Sequence, residues 1–215
     1  MKITIQSNAK ILALFAVACT TLVAGVDWLT KDKILEQQQL QLLNTLHQVI
    51  APERLNNDLY HDCQRVSDAE LLGSDEPQTA YIARLDHVPV AVAITTVAPN
   101  GYNGKINLIV AINTDGSLSG VRTLEHQETP GLGDKIETRK SDWIYSFDGK
   151  QLDDNNNMRW AVKKDGGMFD QFTGATITPR AVVKAVKNTL EYFKLNKESI
   201  LSATTSSCRE TNDKA

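Results

Sequence analysis

The sequence predicts an α+β chain: an N-terminal membrane helix followed by antiparallel hairpins packed against helices. Three observations carry this. Ile11 to Val26 contains no charged residue. Two pairs of β-rich segments each flank a short turn signal. Thr178 to Leu195 has a capped start and one apolar stripe. Hairpins in place of strand–helix–strand alternation point to an antiparallel sheet with helices beside it.

The charge-free run is 16 residues long, and a bilayer-spanning helix needs roughly 20. Extension from Asn8 to Leu29 supplies the length, with Lys10 snorkelling and Trp28 at the far interface. Lys2, Lys10 and the α-amino group place positive charge on the N-terminal side. That predicts a cytoplasmic N-terminus and an exported body. Ala16-Val17-Ala18 resembles a signal-peptidase site and Cys19 faintly resembles a lipoprotein site. Cleavage there leaves an apolar core of only Ile11 to Phe15, shorter than the usual 7–15 residues. An uncleaved anchor over residues 1–29 is therefore expected.

Lys31 to Ile50 has apolar residues at helical spacing and no Gly or Pro, so the helix continues and ends before Pro52. Residues 30–78 read as a helical stalk and polar connection, with Asn56 to Glu76 unassigned. Ala80–Leu85 and Pro89–Val97 flank Asp86-His87; Lys105–Ile112 and Ser117–Leu124 flank Asn113–Gly116. Between the pairs, Gly101-Tyr102-Asn103-Gly104 has two glycines that permit positive φ or close backbone approach. In the last helix Thr178 is the expected N-cap and Pro179 the first helical residue. Val182, Val183, Val186, Leu190 and Phe193 form its buried stripe. A domain over 79–195 and a polar tail over 196–215 complete the reading.

Net charge is −3, and beyond the first 26 residues 21 basic side chains face 26 acidic ones. With 6% aromatics and no basic cluster, this excludes sequence-independent nucleic-acid binding. No G-x-S-x-G, P-loop, H-E-x-x-H or G-x-G-x-x-G pattern is present. No metal site and no catalytic side chain is expected. Cys63 and Cys208 lie on the exported side, where an oxidising compartment permits a disulfide.

Two segments retain chemical interest. Glu125 to Ile136 leaves a strand, contains Pro130, Gly131 and Gly133, and precedes an expected helix. Glu128 and Thr129 there either meet a small ligand or cap a structured turn. Asp165 to Pro179 sets Thr173, Gly174, Ala175 and Thr176 in a tight bend before a helix start, where unpaired N–H groups and the dipole suit a phosphate. An ordinary capping turn fits the same residues.

Asp170-Gln-Phe-Thr-Gly-Ala-Thr176 resembles a flavinylation motif whose final threonine carries FMN through a phosphoester. Gly101–Gly104 and His126–Gly133 resemble the other two signatures of the FMN-binding domain family shared by RnfG and NqrC proteins. The anchor and the length of 215 residues are similar to RnfG (RsxG) proteins, NqrC proteins being usually longer. The resemblance implies covalent FMN on Thr176, with Asp170 as part of the sequence read by a flavin transferase. It further implies a cofactor region of Thr173, Gly174, Ala175, Thr178, Glu128, Thr129, Gly131, Leu132 and Gly133. Asn103 falls at a loop position with no expected critical role. The implied function is electron transfer within an Rnf/Rsx membrane complex that couples ferredoxin and NADH to ion movement. The implied location is the bacterial inner membrane with the flavin domain periplasmic. Alternatives are an NqrC-like subunit of a Na+-translocating NADH:quinone reductase, a stand-alone exported flavin reductase, or a purely structural subunit.

Overall fold

The computed structural model describes residues 2–153 and 159–202. Cys208 and the tail from 203 onward lie outside them. Helix α1 runs over Lys2–Val49 without interruption. The chain divides into two units, one ending at Asn44 and the other beginning at Thr45.

In the first unit, the helix from Asn8 is long and apolar enough to cross a membrane. Leu12, Leu14, Phe15 and Leu22 are each 65–70% exposed. Apolar side chains open to the surroundings along such a length match lipid rather than water. Thr20 donates its hydroxyl to the Ala16 carbonyl at 2.8 Å, so this polar group is satisfied inside the helix. One long apolar N-terminal helix thus suggests a single-pass anchor.

The second unit is built on a five-stranded antiparallel meander in the order β1-β2-β3-β4-β5. Its strands are β1 (Cys63–Asp68), β2 (Ser74–Leu85), β3 (Val88–Gly101), β4 (Gly104–Asn113) and β5 (Leu118–Glu125). Both hairpins read from the sequence form. Asp86 and His87 adopt φ of 51° and 67°, the two left-handed positions of a tight two-residue turn. The glycine-flanked segment between the pairs is itself a hairpin tip, with Gly101 opposite Gly104. The stretch left unassigned from Asn56 to Glu76 supplies β1 and the start of β2.

Period-2 alternation gives the sheet two covered faces. On one, Val92, Ile94, Ala98, Ile106, Leu108, Val110 and Ile112 join the main core. Helix α2 (Ile177–Ser202) covers that face through Val182, Val183, Val186, Leu190 and Phe193, as its spacing predicts. Trp143, Phe147, Trp160, Phe169 and Phe172 extend the core with edge-to-face and stacked pairs, such as Phe147–Phe169 at 4.5 Å. On the other face, small residues leave room for the last turn of α1. A Cβ on Gly120 would sit 3.1 Å from the Val49 Cα. Ser119 donates its hydroxyl to the Val49 carbonyl at 2.6 Å, and Arg122 donates to the Gln48 carbonyl at 3.1 Å. These bonds satisfy carbonyls that a helix end leaves free.

Two expectations are corrected. Helix α2 begins at Ile177, two residues before the expected first helical residue Pro179, and runs to Ser202, past the expected end at Leu195; the Arg180 N–H bonds the Thr176 carbonyl. Thr176 is thereby the N-cap. Pro179 still costs no hydrogen bond, because N–H groups throughout the first turn lack helical partners. The helix expected after Ile136 is replaced by short 3-10 turns over Gly133–Ile136 and Asp142–Phe147.

Candidate functional site

The three sequence motifs are 101–104, 126–133 and 170–176, and the fold brings them to one end of the sheet. The first is the β3–β4 hairpin tip, the second leaves β5, and the third leads into α2. Glu128 joins them. Its carboxylate is buried at 5% exposure and accepts the Asn103 backbone N–H on Oε1 at 3.2 Å. The Thr178 hydroxyl, wholly buried, donates to Oε2 at 2.5 Å. Asn103 adds a second strap through its side-chain amide to the Gln127 carbonyl at 2.7 Å. Asn103 therefore has a structural role that its loop position gave no reason to expect.

Two glycines make this closure possible. A Cβ at Gly101 would lie 2.7 Å from Glu128 Oε1, and one at Gly133 would lie 2.6 Å from Oε2. Either distance is well inside van der Waals contact. Both sequence readings of this segment apply: a Cβ on Gly101 would meet the Gly104 carbonyl oxygen first, at 2.4 Å, and Gly104 has φ of 112°.

The loop behind Glu128 is fixed by a short relay. The Glu128 N–H donates to His126 Nδ1 at 3.0 Å, which puts the ring proton on Nε2, 2.8 Å from Glu137. Arg139 also donates to Glu137, and these bonds, that of Arg139 first, hold the Glu137 carboxyl below the usual carboxylate range. Leu132 and Gly133 both donate their N–H groups to the Thr129 carbonyl at 3.1 Å, and Gly131 donates to Asp134 at 2.8 Å.

The third motif is pinned from beneath. Trp143 donates its indole N–H to the Asp170 carbonyl at 2.7 Å and meets Phe172 edge-on at 5.0 Å. The Asp170 carboxylate pairs with Lys163 at 2.6 Å and is exposed. The Ala175 N–H bonds the Phe172 carbonyl, closing a turn in which Gly174 has φ of 80°. Arg180 donates two hydrogen bonds to Asp165, and these lower the Asp165 carboxyl below its ordinary range. Sequence reasoning did not find Asn103, Trp143, Lys163 or Asp165; their partners lie 7 to 27 residues away along the chain.

The predicted cofactor residues thus separate into two groups. Glu128 and Thr178 are buried against each other, and Gly133 is buried beside them. Thr173, Gly174, Gly131 and Leu132 are exposed, whereas Thr129, Ala175 and Thr176 are half-buried. Nothing lies within 4 Å of a Cβ built on Gly131, and a Cβ on Gly174 would meet only Leu132, at 3.9 Å. The two loops approach one another at Leu132 and Gly174, and the half-buried Thr176 stands at the N-cap of a 26-residue helix. An anionic phosphate suits the N–H groups and the positive dipole end at such a helix start. Among the described residues Cys19 is a free thiol and Cys63 is disulfide-bonded.

Comparison with known proteins agrees with the geometry. The FMN-binding domain family matches residues 101–191, the span that holds all three motifs, and the RnfG N-terminal region family matches residues 1–49. A protein of Shewanella loihica, described as a subunit of an ion-translocating oxidoreductase complex, is 56% identical over 94% of this chain and 95% of its own length. The proteins of that description in Vibrio atlanticus and Pseudoalteromonas atlantica are 54% and 49% identical, over 92% and 97% of this chain and 94% and 97% of their own lengths.

The chain belongs to the RnfG family. Two features follow from the membership together with the structure. The RnfG N-terminal match ends at Val49, which is also the last residue of α1. The FMN-binding match begins at Gly101, the first glycine packed on Glu128, and extends through most of α2. The family's cofactor-binding portion is therefore the part of the fold that the Glu128 junction organises.

Proposed function

We propose that this chain carries FMN esterified to Thr176 and serves as a tethered electron carrier in an ion-translocating oxidoreductase complex of the Rnf type. The observation that carries the reading is the junction that ties the first two motifs to the start of α2, with a half-buried threonine, the last residue of the third motif, at the N-cap two residues before Thr178. Relatives from ion-translocating oxidoreductase complexes, 49–56% identical over nearly their whole length, support the Rnf assignment over an NqrC-like one.

The chain's own residues have distinct tasks in this reading. Thr176 supplies the oxygen of the phosphoester. The first turn of α2, with its unpaired N–H groups and positive dipole end, stabilises the retained negative charge. Leu132, Thr129 and the backbone at Gly131 and Gly174, on the two loops nearest Thr176, border the bound flavin. Asp170, exposed on the approach to Thr176, belongs to the sequence a flavin transferase reads. Bound FMN supplies reversible electron acceptance, which none of the protein side chains provides. No residue acts as acid, base or nucleophile during turnover. Helix α1 holds the domain at the membrane, and Lys2 and Lys10 orient its N-terminus towards the cytoplasm, leaving the domain periplasmic. Other subunits of the complex exchange electrons with it, and electron flow between ferredoxin and NADH drives the ion.

The test uses the full chain produced with an active flavin transferase and export. A denaturing gel should show flavin fluorescence on the band of the native sequence and none on Thr176→Ala, with both proteins equally abundant. Fluorescence retained by Thr176→Ala would overturn the assignment.

A further inference from the structure

One buried side chain has both of its carboxylate oxygens committed. Glu128 was expected to touch a ligand, yet Oε1 takes the Asn103 N–H and Oε2 takes the Thr178 hydroxyl, in a pocket that leaves 5% of the residue exposed. Burying a carboxylate is costly unless it is hydrogen-bonded, so the bonds account for its presence there. Independent of those bonds, Gly101 and Gly133 come from two different motifs: a Cβ on Gly133 would strike this carboxylate first, at 2.6 Å, and one on Gly101 would strike it at 2.7 Å, behind the Gly104 carbonyl oxygen at 2.4 Å. Four residues, Asn103, Thr178, Gly101 and Gly133, are shaped to one group that no ligand need reach.

The geometry points to Glu128 as a positioning residue for FMN attachment: through Thr178 it fixes the first turn of α2 and so presents the Thr176 hydroxyl as a phosphoryl acceptor. Thr178 is two residues beyond Thr176, in the first turn of that helix. Holding its side chain against Glu128 fixes the N-cap relative to the 126–133 loop and the 101–104 hairpin. A negative charge at the start of a helix is also favoured by the dipole. This inference rests on the reading of Thr176 as the attachment site.

The reaction it concerns is transfer of the FMN phosphoryl group from FAD by the transferase. The Thr176 Oγ–P bond forms, the pyrophosphate P–O bond of FAD breaks, AMP leaves, and the hydroxyl proton passes to a base on the transferase or to solvent. There is no change of oxidation state. Glu128 touches none of these atoms and acts only through Thr178.

Substitutions separate the tie from the charge. In Glu128→Gln the amide oxygen can accept the Asn103 N–H and the amide nitrogen can donate to the Thr178 oxygen, so both ties persist without charge. Glu128→Ala removes both ties, and Thr178→Val removes one.

The experiment measures the rate of FMN incorporation into the full chain in detergent, with purified transferase at saturating FAD. Loss of position should slow Glu128→Ala by about 10- to 100-fold, slow Thr178→Val less, and leave Glu128→Gln within about twofold of the native rate on the same scale. Amide exchange in the unmodified proteins supplies a second readout. The amides of residues 180–183, which bond the carbonyls of the first turn, should lose protection in Glu128→Ala and not in Glu128→Gln, with β3 and β4 protected in both. Native chain that takes up no FMN defeats the Thr176 reading itself. Native chain that is labelled while Glu128→Ala is labelled equally fast overturns the role of Glu128, and so does Glu128→Gln failing as badly as Glu128→Ala. Where Glu128→Ala does not fold, Thr178→Val decides: a native rate overturns the inference and a slowed rate supports it.

Discussion

Replacing Gly133 by alanine tests the junction by crowding it. The added Cβ would lie 2.6 Å from Glu128 Oε2, 2.8 Å from Thr178 Oγ1 and 3.0 Å from Glu128 Cβ. The two oxygens end otherwise movable side chains, but both residues are buried and bonded to each other. Relief therefore requires the carboxylate to leave Thr178 or the loop to lift. A hydrogen bond to a charged group contributes about 1.5–3 kcal/mol, and overpacking a filled site costs about 1–3 kcal/mol. Because retreat exchanges one penalty for the other, the expected loss is about 2–4 kcal/mol. At roughly 2–4 °C per kcal/mol for a domain of this size, the melting temperature falls by about 5–15 °C. Gly131→Ala is the control: two residues away, with φ of 79° and open space around its Cβ, it meets only the left-handed backbone penalty of about 1–2 kcal/mol. The assay is urea unfolding of the full chain in detergent, followed by tryptophan fluorescence. In a Glu128→Ala background the Gly133→Ala cost should shrink by at least about 1 kcal/mol, since contacting residues couple. Equal costs at Gly131 and Gly133, or additivity with Glu128→Ala, would refute the packing argument.

Other predictions concern the periphery of the site. Asp170→Ala should reduce covalent flavin without lowering the melting temperature, because Asp170 is exposed and its carbonyl, not its side chain, holds Trp143; normal flavin content in that variant would remove Asp170 from the recognition sequence. Glu137, bonded by Arg139 and His126, titrates below the ordinary glutamate value, so its stabilisation is complete above about pH 4.3 and is lost as pH falls through the lowered value. The unfolding midpoint should therefore drop from about pH 5 towards pH 3, with a shallower drop in Glu137→Gln; identical slopes would show that Glu137 contributes nothing. The proposed Cys63–Cys208 bond should give the exported chain a mobility change on reduction, and alkylation of Cys63 and Cys208 in the native protein, beside the free Cys19, would dismiss it.

What the sequence made legible was local. The turns at Asp86-His87 and Asn113–Gly116 are two-residue and four-residue signals, and the α2 stripe is a single periodicity. Strand β1 escaped because Cys63–Asp68 is an edge strand whose pattern includes only two buried positions. The start of β2 escaped because it is polar and carries Pro77, which falls where the β1–β2 register shifts between Val66 and Asp68. Such an irregularity is where a residue without an N–H fits a sheet. Thr178 was misread as a cap because a threonine before a proline looks like a helix start. In the fold its hydroxyl is committed to a carboxylate 50 residues distant. The segments stood out by their residues and were joined by resemblance, but the physical reason they belong together was not legible, since Asn103, Glu128 and Thr178 have no sequence relation except through the closed structure.

The phosphoester on Thr176 is the central claim, and its most direct test is the intact mass of the denatured full chain made with export and an active flavin transferase. The expected result is a gain of one FMN less one water, mapped to the peptide that contains Thr176. An unmodified mass, with the same transferase shown to label another acceptor, would contradict it.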